Sequence, residues 1–162
     1  MNPHALTALE YDKLLLILSG YAISTPAKED LLALKPSNDP QRIRQSLVEI
    51  SEMRTLRQVD DPFPLSFLPD VRHLFSRLNI DGSVLNPPEF LLMRQIVWGS
   101  YQARQYFEIR KDRYPQLANR ALAITKLKDL MTSIDRIVDD AGGIKDSASP
   151  KLKNLRREIL QQ

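Results

Sequence analysis

Apolar positions along this chain recur mainly three and four residues apart, the spacing of one helix face. Leu6, Leu9, Leu14, Ile17 and Leu18 mark a first helix over about Ala5–Ser19. A second covers Pro26–Leu34 and stops before Pro36. A third covers Pro40–Gln58, with Ile43, Leu47, Ile50 and Met53 on one side. A short helix over Pro69–Leu78 follows a proline-rich loop, and a long one runs from Pro87 to about Lys111. Pro115–Ile124 and Lys126–Val138 come next, the latter striped by Leu127, Leu130, Ile134 and Ile137. No run sustains the two-residue alternation of a half-buried strand. Ile80, Val84-Leu85 and Ile144-Lys145 leave room for brief extended segments near 80–85 and 144–146. The pattern predicts a mainly α chain, an irregular multi-helix bundle.

Helix starts are marked by proline. Pro26, Pro40, Pro87, Pro115 and Pro150 each sit where the first helical residue falls, a position whose missing N–H costs nothing. Thr25, Asp39, Asn86 and Ser149 precede four of them and are capping types. Asn86 and Glu89 have the spacing of a capping box. Gly142 is placed to end its helix in the left-handed conformation. After Ser149-Pro150, Leu152, Leu155 and Ile159 recur at helical spacing, and no Gly or Pro stop follows before Gln162. The expectation is a helical body over 1–145 and, over 146–162, the start of a helix that belongs to a longer protein.

At 162 residues the chain has the length of about one domain. Its apolar content of 43% and charged content of 27% are those of a soluble globular protein. The absence of Cys removes disulfide and thiolate chemistry and fits a cytoplasmic location. The longest aliphatic run, Leu14 to Leu18, is too short for a membrane span and lacks the basic leader of a signal peptide. Charge is uneven. Residues 1–142 carry 18 basic and 18 acidic groups, so the whole +3 surplus lies on the last segment, with Lys145, Lys151, Lys153, Arg156 and Arg157 against Asp146 and Glu158. Lys151, Lys153, Arg156 and Arg157 are the candidate nucleic-acid contacts, against the plainer reading of a solvated helix face.

No catalytic, cofactor-binding or metal-ligating set stands out. His4 and His73 lack neighbouring ligands at metal spacing. There is no P-loop, dinucleotide fingerprint, nucleophile elbow or zincin motif. Asp139-Asp140 could hold Mg²⁺, but beside a glycine stop they read better as loop-solvating acids. Residues 59–70 carry three prolines with Phe63, Leu65, Phe67 and Leu68, a strap laid over the helices or a docking surface for a partner. The long helix interleaves Arg94, Trp98, Tyr101, Arg104, Tyr106, Phe107, Arg110, Arg113 and Tyr114. Such a mixture can stack single-stranded bases, yet Phe90, Val97 and Tyr101 have the spacing of a buried face, so core packing is the competing reading.

Several of these landmarks together carry a family resemblance. Leu9-Glu10-Tyr11-Asp12-Lys13 with Leu16 and Leu18, Ala27-Lys28-Glu29, Leu34-Lys35-Pro36-Ser37-Asn38-Asp39, Leu68-Pro69-Asp70-Val71-Arg72, Leu85-Asn86-Pro87-Pro88-Glu89 and Asp146-Ser147-Ala148-Ser149-Pro150 resemble the short, Smr-containing branch of bacterial MutS proteins. The landmarks follow the family's order along nearly the whole chain. The resemblance implies an N-terminal fragment: the first half of a split helical core, then the root of a lever arm leading to a coiled-coil clamp. It further implies a parent protein that is a homodimeric ATPase using ATP and Mg²⁺. That parent carries an Smr nuclease domain and acts on branched or recombining DNA or on ribosomes. None of those activities falls on residues present here. A free-standing helical adaptor docking a partner through the 59–70 strap or the terminal helix, and a single-strand-binding module using Trp98, are the alternatives.

Overall fold

The computed structural model describes residues 3–64 and 68–160. Leu65 and Phe67 of the proposed strap therefore lie outside the described residues. The elements are α1 (Pro3–Ala8), α2 (Tyr11–Ser19), α3 (Thr25–Leu32), α4 (Pro40–Val59), α5 (Arg72–Leu78), α6 (Pro87–Glu108), α7 (Pro115–Leu122), α8 (Lys128–Ile137), a 3₁₀ turn (Asp146–Ala148) and α9 (Pro150–Leu160). No strand occurs among the described residues; the one bridge pairs Val138 with Ile144. The chain is a helical bundle, as the periodicity predicts. It divides into two compact units, one of Met1–Asp70 with Gln102–Ile124, the other of Val71–Tyr101 with Thr125–Gln162.

The core of the first unit gathers Leu56 of α4, Tyr106 and Phe107 of α6, Tyr114, and Ala118 and Ala121 of α7, with Met53, Phe63 and Leu117 packed on it. The small residues of α7 let the aromatic rings close on that helix. Phe63 sits edge-on to Tyr106 with centroids 5.2 Å apart, so this part of the strap is spent on core packing. The Tyr106 hydroxyl donates to the Asp61 carbonyl at 2.6 Å, and the Tyr114 hydroxyl donates to the Asp60 carboxylate. Tyr114 cannot cap α7 itself. Glu52 reaches from α4 instead and accepts the N–H groups of Gln116 (3.2 Å) and Leu117 (3.0 Å), a carboxylate at a helix N-terminus. Arg104 closes the other end, donating to the Leu122 and Ile124 carbonyls.

In the second unit Val71, Leu74 and Leu85 form the buried centre, flanked by Phe90, Leu92, Met93 and Ile96. The capping box is present: the Asn86 N–H donates to Glu89 Oε2 at 2.6 Å. The other Glu89 oxygen accepts from Arg77, which also holds the Val84 carbonyl at 3.1 Å. These bonds hold the segment between α5 and α6, which opens as a turn with Ser83 N–H on the Ile80 carbonyl at 3.0 Å and Gly82 at φ 78°, and which forms no strand. The Asn86 N–H above all, with Arg77 added, holds the Glu89 carboxyl below the usual glutamate range. A depressed carboxylate contributes stability above its unfolded-state pKa and loses it as pH falls through the folded value. We therefore expect the melting temperature to drop on acidification below about pH 4, and Glu89→Gln to flatten that drop, as read by circular dichroism melts at pH 7 and pH 3.

Three expectations need correction. The first helix breaks at Glu10, which adopts φ 51° and ψ 39°, so α1 ends and α2 begins on a left-handed residue. No Gly or Pro signals that break. Second, the stripe assigned to that helix is not a core stripe: Leu15 is buried, while Leu9, Leu14, Ile17 and Leu18 are exposed. Ile43, Leu47 and Ile50 of α4, and Leu127 and Leu130, are exposed as well. The packed side of α4 is instead Glu52, Met53 and Leu56. Third, Ser24 and not Thr25 caps α3, its hydroxyl accepting the Ala27 N–H, and the helix predicted from Pro69 starts at Arg72.

Candidate nucleic-acid interface

The four predicted contact residues sit on α9, and the segment before it fixes where that helix starts. After α8 the chain turns back on itself. Asp139 N–H donates to the Gly143 carbonyl at 2.9 Å, and Lys145 N–H to the Ile137 carbonyl at 2.8 Å. Gly142 takes φ 81°, a left-handed conformation that calls for glycine, and a Cβ there would press on a Leu91 methyl at 3.1 Å. Asp139 accepts the N–H groups of Ala141 (2.9 Å) and Gly143 (2.7 Å). Asp135 and Asp140 both pair with Arg94, and these bonds, Asp140's first, push the guanidinium pKa up further. The neighbouring acids are thus occupied in tying this turn, and no group of three His, Cys, Asp or Glu suited to a metal occurs among the described residues.

The root of α9 is then built in three steps. Lys145 Nζ donates to the Asp135 carbonyl at 2.6 Å, a cation on the carbonyl end of α8. Ser149 Oγ accepts the Leu152 N–H at 3.1 Å, the N-cap its sequence announces. Asp146 of the 3₁₀ turn pairs with Arg156, ten residues on. That brace and the Lys145 bond were not legible in the sequence, because neither spacing is a helical repeat. Leu152 is half-buried, whereas Leu155 and Ile159 are exposed at 46% and 71%. The helix is packed at its base and open beyond. Ser149→Ala is expected to weaken α9 by about 1 kcal/mol, seen as faster amide exchange at Leu152 and Lys153 with the α8 amides unchanged.

The four cations do not form one cluster. Lys153, Arg156 and Arg157 share a face, being three and four residues apart. Lys151 lies two residues before Lys153, away from that face. Arg156 is engaged with Asp146, leaving Lys153 and Arg157 as the exposed pair one turn apart. The aromatic and basic residues of α6 divide differently. Tyr106, Phe107 and Tyr114 are core residues, Arg104 caps α7, and Arg110 and Arg113 pair with Asp60. Only Trp98 and Tyr101 of that set are exposed rings, stacked with centroids 5.7 Å apart. The interleaving along α6 is therefore mainly a packing pattern. Among the described residues no helix is long and apolar enough to cross a membrane.

No family model matches the chain. It is 34% identical over 164 residues to the endonuclease MutS2 of Exiguobacterium sibiricum, covering 98% of this chain and 21% of that protein. It is 36% identical over 163 residues to the endonuclease MutS2 of Caldicellulosiruptor saccharolyticus, covering 98% and 20%. The endonuclease MutS2 of Bacillus velezensis is 30% identical over 162 residues, again covering 98% and 20%. The chain spans about a fifth of the length of these relatives. The chain is related, over nearly all of its length, to one segment of the MutS2 endonucleases.

Proposed function

We propose that this chain is the non-catalytic core and lever root of a MutS-like, DNA-processing ATPase and endonuclease. The observation that carries the reading is the build of α9. Its first turn is capped, braced and packed, while Leu155 and Ile159 of its apolar stripe are exposed. A helix anchored at one end and open along a seam is suited to continue as one strand of a coiled coil. In that role it passes movement from a distant nucleotide site to a clamp on nucleic acid, since close-packed interiors transmit displacement. ATP and Mg²⁺ belong to the parent protein, as do homodimerisation, a cytoplasmic location, and action on branched DNA or ribosomes. Lys153 and Arg157 then approach the phosphate backbone from the root of the arm, with Lys151 and Arg156 as lesser contacts.

The exposure of α2 supports the same reading. Leu14, Leu16, Ile17 and Leu18 are all exposed on a nine-residue helix whose buried side is Leu15 and Ser19. That much exposed aliphatic surface on one short helix suits burial in a larger core, which the remaining four-fifths of a full-length relative could supply. The test is to break the arm in the longer protein. Leu155→Pro interrupts α9 beyond its root, at about 3 kcal/mol or more for that helix. The expected result is unchanged ATP binding with loss of the nucleotide-dependent change in DNA affinity. Retained coupling in a folded variant refutes the lever role.

A further inference from the structure

The helix α4 has a second face that the core does not use. Glu52, Met53 and Leu56 turn inward. On the other side Ile43, Leu47, Ile50, Arg54 and Arg57 follow at steps of four, three, four and three, the seam spacing of helix-on-helix packing. Ile43, Leu47 and Ile50 are exposed at 38%, 56% and 63%. The seam is aliphatic over its first two turns and cationic over the next two. Its charge has a clear origin. Both acids of α4 are already committed within the unit, Glu49 to Arg120 at 2.7 Å and Glu52 to the α7 N–H groups. The solvent side of the helix keeps Arg42, Arg44, Arg54 and Arg57. Beside Leu47 lies an open depression of about 350 Å³, walled by Val48, Thr55 and Tyr114 and rimmed by half-exposed Arg113.

We infer that this seam docks an amphipathic helix of a separate protein partner, aliphatic where it meets Ile43, Leu47 and Ile50 and acidic where it meets Arg54 and Arg57. An apolar side chain of the partner fills the depression. The composition separates this face from that of α2. Arginine beside exposed aliphatics is the make-up of an exchangeable interface, with a pocket for an anchoring side chain. On α2 the exposed aliphatics Leu14, Leu16, Ile17 and Leu18 have no arginine beside them, and its one lysine, Lys13, is paired with Glu10. A second copy of this chain fits poorly. A parallel pair sets arginine on arginine, and an antiparallel pair matches aliphatics only over the short Ile43–Ile50 stretch. The inference stands apart from the lever reading, because α4 and α9 belong to different units.

The test uses two labelled helical peptides and the intact chain, read by anisotropy at low salt. One peptide carries Leu at three seam positions and Glu at the next two; the other carries Lys in place of Glu. Saturable binding of the Glu peptide is expected, weakened about tenfold or more by the double variant R54E/R57E. The Lys peptide is expected to bind that variant and not the wild type. Both arginines are exposed, so circular dichroism of the variant should be unchanged. Absence of saturable binding, equal binding of both peptides, or indifference to R54E/R57E overturns the inference. So does a concentration-dependent dimer abolished by Leu47→Lys, which assigns the face to a second copy. Slower exchange of the Ile43–Arg57 amides in the longer protein than in this chain, with no partner present, also overturns it, by assigning the face to the same polypeptide.

Discussion

Leu56→Ala is expected to cost about 3–5 kcal/mol, in the upper range for burying a cavity where a leucine stood. Leu56 is fully buried, and its neighbours in the core include Tyr106, Phe107 and Tyr114. Rings held by their own hydroxyl bonds to Asp61 and Asp60 cannot slide into the void. The cavity therefore stays open, and the lost contacts are not recovered. Urea denaturation followed by far-ultraviolet circular dichroism measures the effect. Leu56→Met, which keeps volume, should cost under about 1.5 kcal/mol. A Leu56→Ala loss as small as that of Leu56→Met would mean the aromatic cluster is far more plastic than its bonds imply.

In the second unit Leu74→Ala is expected to cost about 2–4 kcal/mol, somewhat less than its counterpart. Leu74 is as deeply buried, between Val71 and Leu85. Its surroundings differ in kind: Phe90, Leu92, Met93 and Ile96 are only partly buried, and Met93 is an adaptable filler. Partial collapse onto the vacated site reduces the penalty. The same denaturation experiment orders the two variants, and a crystal structure of Leu74→Ala should show Met93 in a new rotamer. If Leu74→Ala proves the costlier, the relaxation argument is wrong.

Local signals in the sequence were sound guides to where several helices begin. Asp39, Ser149 and the Asn86–Glu89 box act as their residue types indicate. Each depends on atoms within a few residues, so chain-local reasoning reaches them. Gly142, expected to cap α8, does not act so: that helix ends at Ile137 with Val138 as its cap, and Gly142 serves the turn beyond it. Contacts supplied from afar were not legible. The cap of α7 comes from Glu52, more than sixty residues upstream in the chain, and nothing near Pro115 points to it. Periodicity also says which residues share a face without saying whether anything covers that face. That is why Ile43, Leu47 and Ile50, or Leu14 and Ile17, read as core and prove exposed. The break at Glu10 was hidden for another reason: a glutamate in the left-handed region is uncommon, so its letter carries no warning. The candidate interface was legible as a list of cations, while the Asp146 brace that sets Arg156 apart required the fold.

The lone indole of this chain, Trp98, lies half in solvent against Tyr101 rather than within either core. Its intrinsic emission should already be red-shifted in the native state and should move little on melting. The optical signal that textures most folding studies will here report what lands on one exposed patch, and buried-phenol absorbance is the better gauge of whether the interior is intact.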